Sequence, residues 1–335
     1  MKPSSLSLLL SKTIPERMPV LVTGAPGVGK SDIIGAAAMA AGAELIISHP
    51  VVSDPTDYKG LPYAKDGKAF FLPYGDAERI ISTTALTVFL FDDLGQAPPS
   101  VQAACMQWLL ARRLNDKKIS DSVCFIAATN RKQDRAGVTG MLEPVKSRFF
   151  SIVELTPDAE DWTTWALSNG MPTELIAFMR FRPGLLYDFK PSAGMNNSPC
   201  PRTVANVGRL IGLGLDESME LEVYGGAAGE GFAVEFCAFL RMFRRMISPE
   251  VVLMSPDTAP IPDESGTLYA LCTALARLVD DNSATRFFRY LDRLSSAGKA
   301  EFAVMAVSDA IRQKPEIQNT RASIEWFTRN QAVMV

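Results

Sequence analysis

The chain has 335 residues, of which 47% are hydrophobic and 21% are charged, and its net charge at pH 7 is −3. This length and composition exclude a disordered chain and indicate a globular protein with a substantial core and two domains. The slightly acidic balance gives no overall attraction to nucleic acids or anionic membranes, so that any such contact would need a local basic patch.

The cysteine and histidine content argues against metal and disulfide chemistry. Five cysteines lie far apart without a C-x-x-C pair, and we expect them to be buried thiols in a reducing compartment. His49 closes an apolar strand and is expected to be a structural residue. No apolar run reaches the length of a membrane span, and Leu6–Leu10 lacks the features of a signal peptide. We therefore expect a cytoplasmic protein that does not bind membranes.

Residues 24–31 match the pattern G-x-x-x-x-G-K-[ST] of an ATP-binding P-loop, for which a glycine-rich turn is the alternative interpretation. The apolar run 19–23 predicts a strand before the motif, and residues 31–40 predict a helix after it. In a P-loop, backbone N–H groups face the phosphates, Lys30 reaches the β and γ phosphates, and the Ser31 hydroxyl ligates Mg²⁺. The predicted nucleotide-binding residues are Gly24, Ala25, Pro26, Gly27, Val28, Gly29, Lys30 and Ser31.

The other elements predicted before residue 85 continue the alternation of helices and strands. They are a helix at 4–14, a strand at 44–48, a β-hairpin near 60–72 around an Asp-Gly turn, and a helix at 76–84. This alternation predicts a parallel sheet. The aromatic residues of the hairpin are expected either to pair across the strands or to contact a substrate or partner.

Two further strands end in polar residues. The apolar strand 87–91 is followed by Asp92 and Asp93, the arrangement called Walker B. At the carboxyl end of a parallel strand beside a P-loop, Asp92 can hold hydrated Mg²⁺ and Asp93 can orient the attacking water. The strand 123–128 leads to Asn130, whose amide would lie near the γ-phosphate and share a water with Asp93. The simpler alternatives are a solvated strand end for the acids and a turn cap for the asparagine.

Near residue 155 the predicted elements change from strands and helices to helices alone. A packing helix at 100–113 and a basic hairpin at 112–119 are predicted before the sheet closes with the strand 149–154. Helices are then predicted at 158–169, 172–181, 203–212, 231–247, 268–279, 284–294 and 300–312. The glycine-rich stretch 225–236 is interpreted as the entry into one of these helices.

Together these motifs resemble those of an AAA+ ATPase of the MoxR-like group, the branch with a hairpin inserted in its second helix. The stretches that carry the resemblance are Gly24–Ser31, Phe89–Asp93 with its continuation to Pro99, Ala128–Asn130 and Glu143–Phe149. The resemblance implies an α/β fold: a P-loop AAA+ parallel sheet flanked by helices, an all-helical lid domain and a C-terminal helical extension of the lid. The implied domains are residues 1–155, 156–254 and 255–335.

The resemblance also implies roles for two arginines. Arg148, the residue before Phe149, would be the finger that reaches the γ-phosphate of a neighbouring subunit and makes hydrolysis depend on assembly. Arg202, in a sensor-2-like motif, would contact the phosphates bound by its own subunit. Without the resemblance, Arg148 would be interpreted as a surface arginine and Arg202 as a residue near the start of a helix. In one departure, Asp93 stands where the family usually has glutamate, which is one methylene, about 1.5 Å, longer.

The function implied is that of a ring-forming, ATP- and Mg²⁺-dependent remodelling ATPase. By resemblance the ring is a hexamer that acts on a protein partner in a chaperone-like way, and one class of partner is a von Willebrand factor A type protein. A motor that acts on nucleic acid is an alternative, supported by the basic hairpin at 112–119. An ATP-binding scaffold with very slow hydrolysis is another, suggested by the short side chain of Asp93.

Overall fold

The computed structural model describes residues 1–134, 140–190 and 195–330, and the chain divides into two units, residues 1–158 and 159–335. The end of the predicted C-terminal extension, residues 331–335, lies outside the described residues. Among the helices that are described, none combines the length and the apolar character that crossing a bilayer requires.

The first unit contains nine strands and six α-helices within its described residues. The strands are β1 (Val20–Thr23), β2 (Glu44–Ser48), β3 (Leu61–Lys65), β4 (Lys68–Leu72), β5 (Thr87–Phe91), β6 (Arg113–Leu114), β7 (Lys117–Lys118), β8 (Val123–Thr129) and β9 (Ser151–Glu154). The helices are α1 (Pro3–Thr13), α2 (Lys30–Ala40), α3 (Pro55–Lys59), α4 (Asp76–Ser82), α5 (Pro99–Ala111) and α6 (Glu143–Lys146).

Five of these strands form one parallel sheet in the order β2-β5-β8-β1-β9. Every residue of β5 and β8 is buried, as expected for central strands of a parallel sheet that is covered on both faces. The register pairs Ser48 with Phe91, Phe91 with Ala127, and Thr23 with Thr129. Because these pairs lie at the carboxyl ends of the strands, the loops that follow β1, β2, β5 and β8 begin at one edge of the sheet.

An aromatic cluster beside the sheet forms much of the core of this unit. Trp108 on α5 contacts Phe89, Phe91 and Phe125, with ring centroids 5.4–6.4 Å apart. Its indole Nε1 donates a hydrogen bond to the backbone oxygen of Tyr58, 2.8 Å away, which satisfies the one polar atom of a buried tryptophan. The cluster therefore connects the Walker B strand to α3, the helix that precedes the first hairpin.

Both predicted hairpins are present. β3 pairs with β4, and all residues of the two strands are exposed. β6 pairs with β7, and Asn115 in the connecting turn donates a hydrogen bond from its side-chain nitrogen to the backbone oxygen of Lys59, 2.7 Å away. The second hairpin is thus joined to the base of the first.

The second unit consists of helices and connecting loops in its described residues. Its α-helices are α7 (Ala159–Ser168), α8 (Thr173–Phe181), α9 (Pro201–Ile211), α10 (Glu217–Ala228), α11 (Glu230–Arg245), α12 (Pro249–Met254), α13 (Ser265–Leu278), α14 (Ala284–Ser296), α15 (Ala300–Gln313) and α16 (Arg321–Arg329). Two buried clusters lie in this unit, one around Phe178, Phe232 and Phe236 and the other around Phe287, Leu291 and Trp326. The predicted α/β fold class, a parallel sheet flanked by helices and followed by a helical region, is confirmed.

The interpretation of residues 225–236 is wrong in part. Gly225 to Ala228 form the last turn of α10, and the chain breaks only at Gly229, which has a φ of 93° and precedes α11. A β-carbon at Gly229 would lie 2.9 Å from the backbone oxygen of Asn197, so this position requires glycine for both its conformation and its close approach.

The cysteines lie where the sequence predicts. All five are buried and free, and burial raises the pKa of the Cys124 thiol to about 12. Across the described residues, no group of three or more His, Cys, Asp or Glu side chains is placed to hold a metal ion.

A buried ion pair joins three helices of the second unit. The Arg180 guanidinium on α8 binds both carboxylate oxygens of Asp309 on α15, with Nη2 2.8 Å from Oδ1, and Nη1 also donates to the Thr273 hydroxyl on α13. Asp309 is almost fully buried. Removal of one partner would leave the other charge buried without compensation.

We therefore expect Asp309→Ala to lower the free energy of unfolding by about 3–5 kcal/mol. The matched control is Glu325→Ala, which removes an ion pair with Arg321 on the exposed surface of α16 and is expected to change stability little. Chemical denaturation followed by far-ultraviolet circular dichroism measures both variants. Equal stability of the two would show that the pair between Arg180 and Asp309 contributes nothing.

Candidate nucleotide-binding site

The loop between β1 and α2 has the backbone geometry that its glycines permit. A β-carbon at Gly24 would lie 2.8 Å from the backbone oxygen of Leu155, so only glycine fits this position. Gly29, the N-cap of α2, has a φ of 93°, a left-handed conformation that favours glycine. Ala25, Gly27 and Val28 are buried, which holds the loop against the unit. The loop therefore leads directly into a helix N-terminus, where free N–H groups and the helix dipole favour a bound anion.

Lys30 connects this loop to the end of β8. Its Nζ donates hydrogen bonds to the backbone oxygens of Gly24 and Ala25, each 3.0 Å away, and to Oδ1 of Asn130, 2.7 Å away. The side chain is only 7% exposed, so the ammonium group is held within the loop rather than in solvent. A cation in this position can interact with the phosphates of a nucleotide.

Ser31 and Asp92 also lie in contact. The Ser31 hydroxyl donates a hydrogen bond to Oδ2 of Asp92 at 2.8 Å, which joins the first turn of α2 to the residue after β5. A hydroxyl and a carboxylate are oxygen donors of the kind that Mg²⁺ prefers. One carboxylate and one hydroxyl suit Mg²⁺, which commonly keeps several waters and uses phosphate oxygens as its remaining ligands.

Asp93 has a strained backbone and an oriented side chain. With φ 58° and ψ 34° it adopts the left-handed conformation, which is uncommon for a residue other than glycine. Its Oδ1 accepts hydrogen bonds from Nδ2 of Asn130 at 3.2 Å and from Nε2 of Gln96 at 2.7 Å. In the described part of the chain no hydrogen bond reaches its Oδ2. The two amides therefore fix the carboxylate and leave its second oxygen able to accept a hydrogen bond.

Gln96 is a residue of the site that was not predicted from the sequence. Its side chain donates to Asp93, and its Oε1 accepts a hydrogen bond from the Thr129 hydroxyl, 3.3 Å away. Gln96 thus links the loop after β5 to the end of β8, the same two segments that Asn130 links. Its position three residues after Asp93 in a short 3₁₀ turn, where i and i+3 side chains eclipse, could have indicated this contact.

His49 also lies at the site, although it was expected to be structural. Its Nδ1 is 4.0 Å from Oδ2 of Asp92, and about half of the side chain is exposed. The reason is the parallel pairing of β2 and β5: Ser48 pairs with Phe91, so the next residue of each strand extends beyond the same edge of the sheet.

Neither arginine takes part in the hydrogen bonds of this cluster among the described residues. Arg148 follows α6; its Nη1 donates to the Ser147 hydroxyl, 2.8 Å away, and its buried Nε has no hydrogen-bond partner. Within the described residues, no hydrogen bond or ion pair joins Arg148 to Lys30, Asp92, Asp93 or Asn130. Arg202 is an exposed residue in the first turn of α9, in the second unit, between the two capping residues Cys200 and Thr203.

The structure therefore brings together six of the predicted residues or segments and two additional ones. Hydrogen bonds join the loop from Gly24 to Gly29 through Lys30 and Asn130 to Asp93, and a separate bond joins their chain neighbours Ser31 and Asp92. Gln96 and His49 are added to this cluster. In this cluster a cation and a helix N-terminus face a pair of carboxylates. That arrangement can bind a phosphate together with a divalent cation.

No protein-family model and no curated protein matches this chain. Among solved structures, a variant of RuvB from Thermotoga maritima has 15% sequence identity and a TM-score of 0.43, over 81% of this chain and 80% of that one. A structure described as the Thermotoga maritima RuvB Holliday junction branch migration motor has 16% identity and a TM-score of 0.39, over 88% and 86% of the two chains. NtrX from Brucella abortus in complex with ADP has 13% identity and a TM-score of 0.37, over 99% and 68%. Similarities at this level do not assign a family or an activity to this chain.

Proposed function

We propose that this protein is a Mg²⁺-dependent ATPase of the AAA+ class. The observation that carries the proposal is the continuous set of hydrogen bonds from Lys30 through Asn130 to Asp93, next to the contact between Ser31 and Asp92. A phosphate-binding loop, a site for a hydrated cation and a carboxylate that can orient water are the three parts that phosphoryl transfer to water requires.

Each residue of the site has a role in this proposal. The N–H groups of residues 24–31 and the Lys30 ammonium hold the β and γ phosphates. Ser31 and Asp92 hold Mg²⁺, which neutralises charge on the phosphate oxygens when it is bound. Asp93 orients the attacking water through its Oδ2, and Asn130 keeps the carboxylate and Lys30 in register. Arg202 is proposed to contact the phosphates within its own subunit.

The ATPase is proposed to act as a ring, most simply a hexamer, in which Arg148 completes the site of a neighbouring subunit. Arg148 forms no hydrogen bond or ion pair with its own cluster among the described residues, and its Nε has no partner. A guanidinium that enters a neighbour's site would neutralise charge in the transition state. In this proposal residues 156–254 are the lid and residues 255–335 its extension.

The substrate of the motor is proposed to be a protein, as in the MoxR-like group, with a von Willebrand factor A type protein as one class of partner. The alternative, a nucleic acid, is favoured by the basic hairpin of β6 and β7. Part of the charge of that hairpin is balanced locally, because Lys118 pairs with Asp121 at 2.6 Å.

Lys30→Ala tests the nucleotide site. We expect a loss of ATP affinity of about 10- to 100-fold, because a hydrogen bond to a charged group contributes about 1.5–3 kcal/mol. Titration with a fluorescent ATP analogue measures the affinity, and circular dichroism checks the fold. The control is Lys12→Ala on the exposed surface of α1. Unchanged affinity in the folded Lys30→Ala protein would remove the P-loop assignment.

Gln96→Leu tests the positioning of Asp93. The substitution removes the hydrogen bonds to Asp93 and Thr129, so we expect kcat for ATP to fall by about tenfold while ATP affinity stays near that of the wild type. Gln107→Leu on α5 is the matched control, because Gln107 is outside the cluster. A fall in ATP affinity without a fall in kcat would show that Gln96 shapes the binding loop and does not position the carboxylate.

A further inference from the structure

The β3–β4 hairpin presents a continuous strip of side chains on one face. The register pairs Leu61 with Leu72, Tyr63 with Phe70 and Lys65 with Lys68. Directly opposed residues share a face of a hairpin, and so do alternate residues along each strand. These six residues therefore form one surface, which we name the hairpin strip: Leu61, Tyr63, Lys65, Lys68, Phe70 and Leu72.

The base of the hairpin strip is apolar and exposed. Leu61, Tyr63, Phe70 and Leu72 are each 41–51% exposed. The rings of Tyr63 and Phe70 stack on each other, with centroids 5.4 Å apart. Contiguous apolar side chains on a surface indicate an interaction site, whereas isolated ones do not. This half of the strip suits large apolar side chains of a partner.

The tip of the hairpin strip carries two lysines and one acidic residue, Asp66 in the connecting turn. Lys65 and Lys68 are directly opposed, and like charges at opposed positions destabilise a hairpin. In the described residues neither ammonium group forms a hydrogen bond or an ion pair. An anionic group bound between them would relieve this repulsion, so the tip is complementary to carboxylates.

The base of the hairpin is anchored to the nucleotide site. Tyr58, just before β3, is buried against Phe91, with ring centroids 6.2 Å apart, and its hydroxyl lies 2.7 Å from the Ser48 hydroxyl. Burial raises the pKa of Tyr58 to about 12, so the phenol stays neutral and keeps this hydrogen bond. Because Phe91 directly precedes Asp92, the residue before the hairpin packs against the end of the strand that leads into Asp92 and Asp93.

We propose that the hairpin strip binds a polypeptide segment of the protein substrate in which large apolar side chains are followed by acidic residues. This inference rests on the proposed function and names the partner chemistry of that motor. A single-stranded nucleic acid fits less well, because it offers a phosphate at every nucleotide and needs open ring faces. Here both cations lie at one end, and the two rings of the strip stack on each other.

Fluorescence anisotropy tests the proposal with the full chain, Mg²⁺ and ATP. The probe is a labelled synthetic peptide with a block of leucine and phenylalanine followed by a block of glutamate. The comparison probes are the same peptide with lysine in place of glutamate, and an oligodeoxythymidine. We expect the glutamate peptide to bind about tenfold or more tightly than either comparison probe.

Lys65→Glu is the decisive variant. It replaces a repulsive pair across the hairpin with an attractive one, so the hairpin is kept while binding of the glutamate peptide is expected to weaken about tenfold or more. Lys12→Glu makes the same charge change on α1 and is expected to leave binding unchanged.

Phe70→Ser tests the apolar half of the strip and is expected to weaken binding. Phe71→Ser is the control, because Phe71 is next in sequence and equally exposed but lies on the opposite face, and it is expected to leave binding unchanged.

Three results would overturn the proposal: equal affinity for the glutamate and lysine peptides, unchanged affinity in Lys65→Glu, or tighter binding of the oligonucleotide that Lys65→Glu abolishes. The last result would assign the strip to nucleic acid. ATP affinity, measured in the same samples, separates this proposal from the proposed function. Normal ATP binding without peptide binding would refute the proposal for the hairpin strip alone. Unchanged ATP affinity in Lys30→Ala would refute the nucleotide site alone.

Discussion

Asp93→Asn is expected to bind Mg²⁺ and ATP with nearly wild-type affinity and to lose ATP turnover by about 10²-fold or more. The asparagine oxygen can still accept hydrogen bonds from Gln96 and Asn130, so the local geometry is kept. What is lost is the negative charge that is proposed to orient and polarise the attacking water. Steady-state phosphate release and a binding titration on the same preparation measure the two quantities separately.

Two further variants make this prediction specific. Asp66→Asn is the matched control: Asp66 also adopts a left-handed backbone conformation, with a φ of 51°, but lies in the exposed turn of the first hairpin. Its turnover is expected to equal that of the wild type. Asp93→Glu restores a longer carboxylate and is expected to be active or faster than the wild type. If the wild type and Asp93→Asn hydrolyse ATP at one indistinguishable rate, the protein is better described as an ATP-binding scaffold.

Arg148→Ala is expected to lower turnover by about 10³-fold while ATP binding stays near normal. The guanidinium would act on charge that develops mainly in the transition state, so its removal affects kcat and leaves ground-state binding nearly unchanged. Lys146→Ala is the matched control, because Lys146 lies two residues earlier and its ammonium group pairs with Glu143 in the same chain. Turnover unchanged in Arg148→Ala would make Arg148 a surface arginine.

The sheet and most of the candidate site could be predicted from the sequence because each buried parallel strand is an apolar run that ends at polar residues. The apolar runs before Asp92 and Asn130 become β5 and β8, and both residues meet at the edge where Lys30 lies. The P-loop pattern between a strand and a helix predicts the other side chains of the site, Lys30 and Ser31. The contact of Gln96 with Thr129 and the approach of His49 to Asp92 were not predicted, because both depend on the tertiary register of neighbouring strands.

Helix α10 was missed for a different physical reason. Gly225 and Gly226 lie inside its last turns, and each glycine in a helix costs about 1 kcal/mol relative to alanine, so the local signal favours a break. Tertiary packing outweighs this preference: Tyr224 on α10 is buried, and its ring centroid lies 5.5 Å from that of Phe236 on α11. Such contacts between two helices do not show in the sequence pattern of one helix alone.

The most direct measurement of the central claim is ATP turnover in mixtures of two inactive variants, Asp93→Asn and Arg148→Ala, with subunit exchange verified separately. If Arg148 serves the site of a neighbouring subunit, mixed rings contain interfaces where an intact Asp93 faces an intact Arg148, and part of the activity returns at intermediate mixing ratios. If both residues serve the site of their own subunit, every site in the mixture lacks one of them and no activity returns. Turnover that stays at zero across all ratios despite proven exchange would contradict the account.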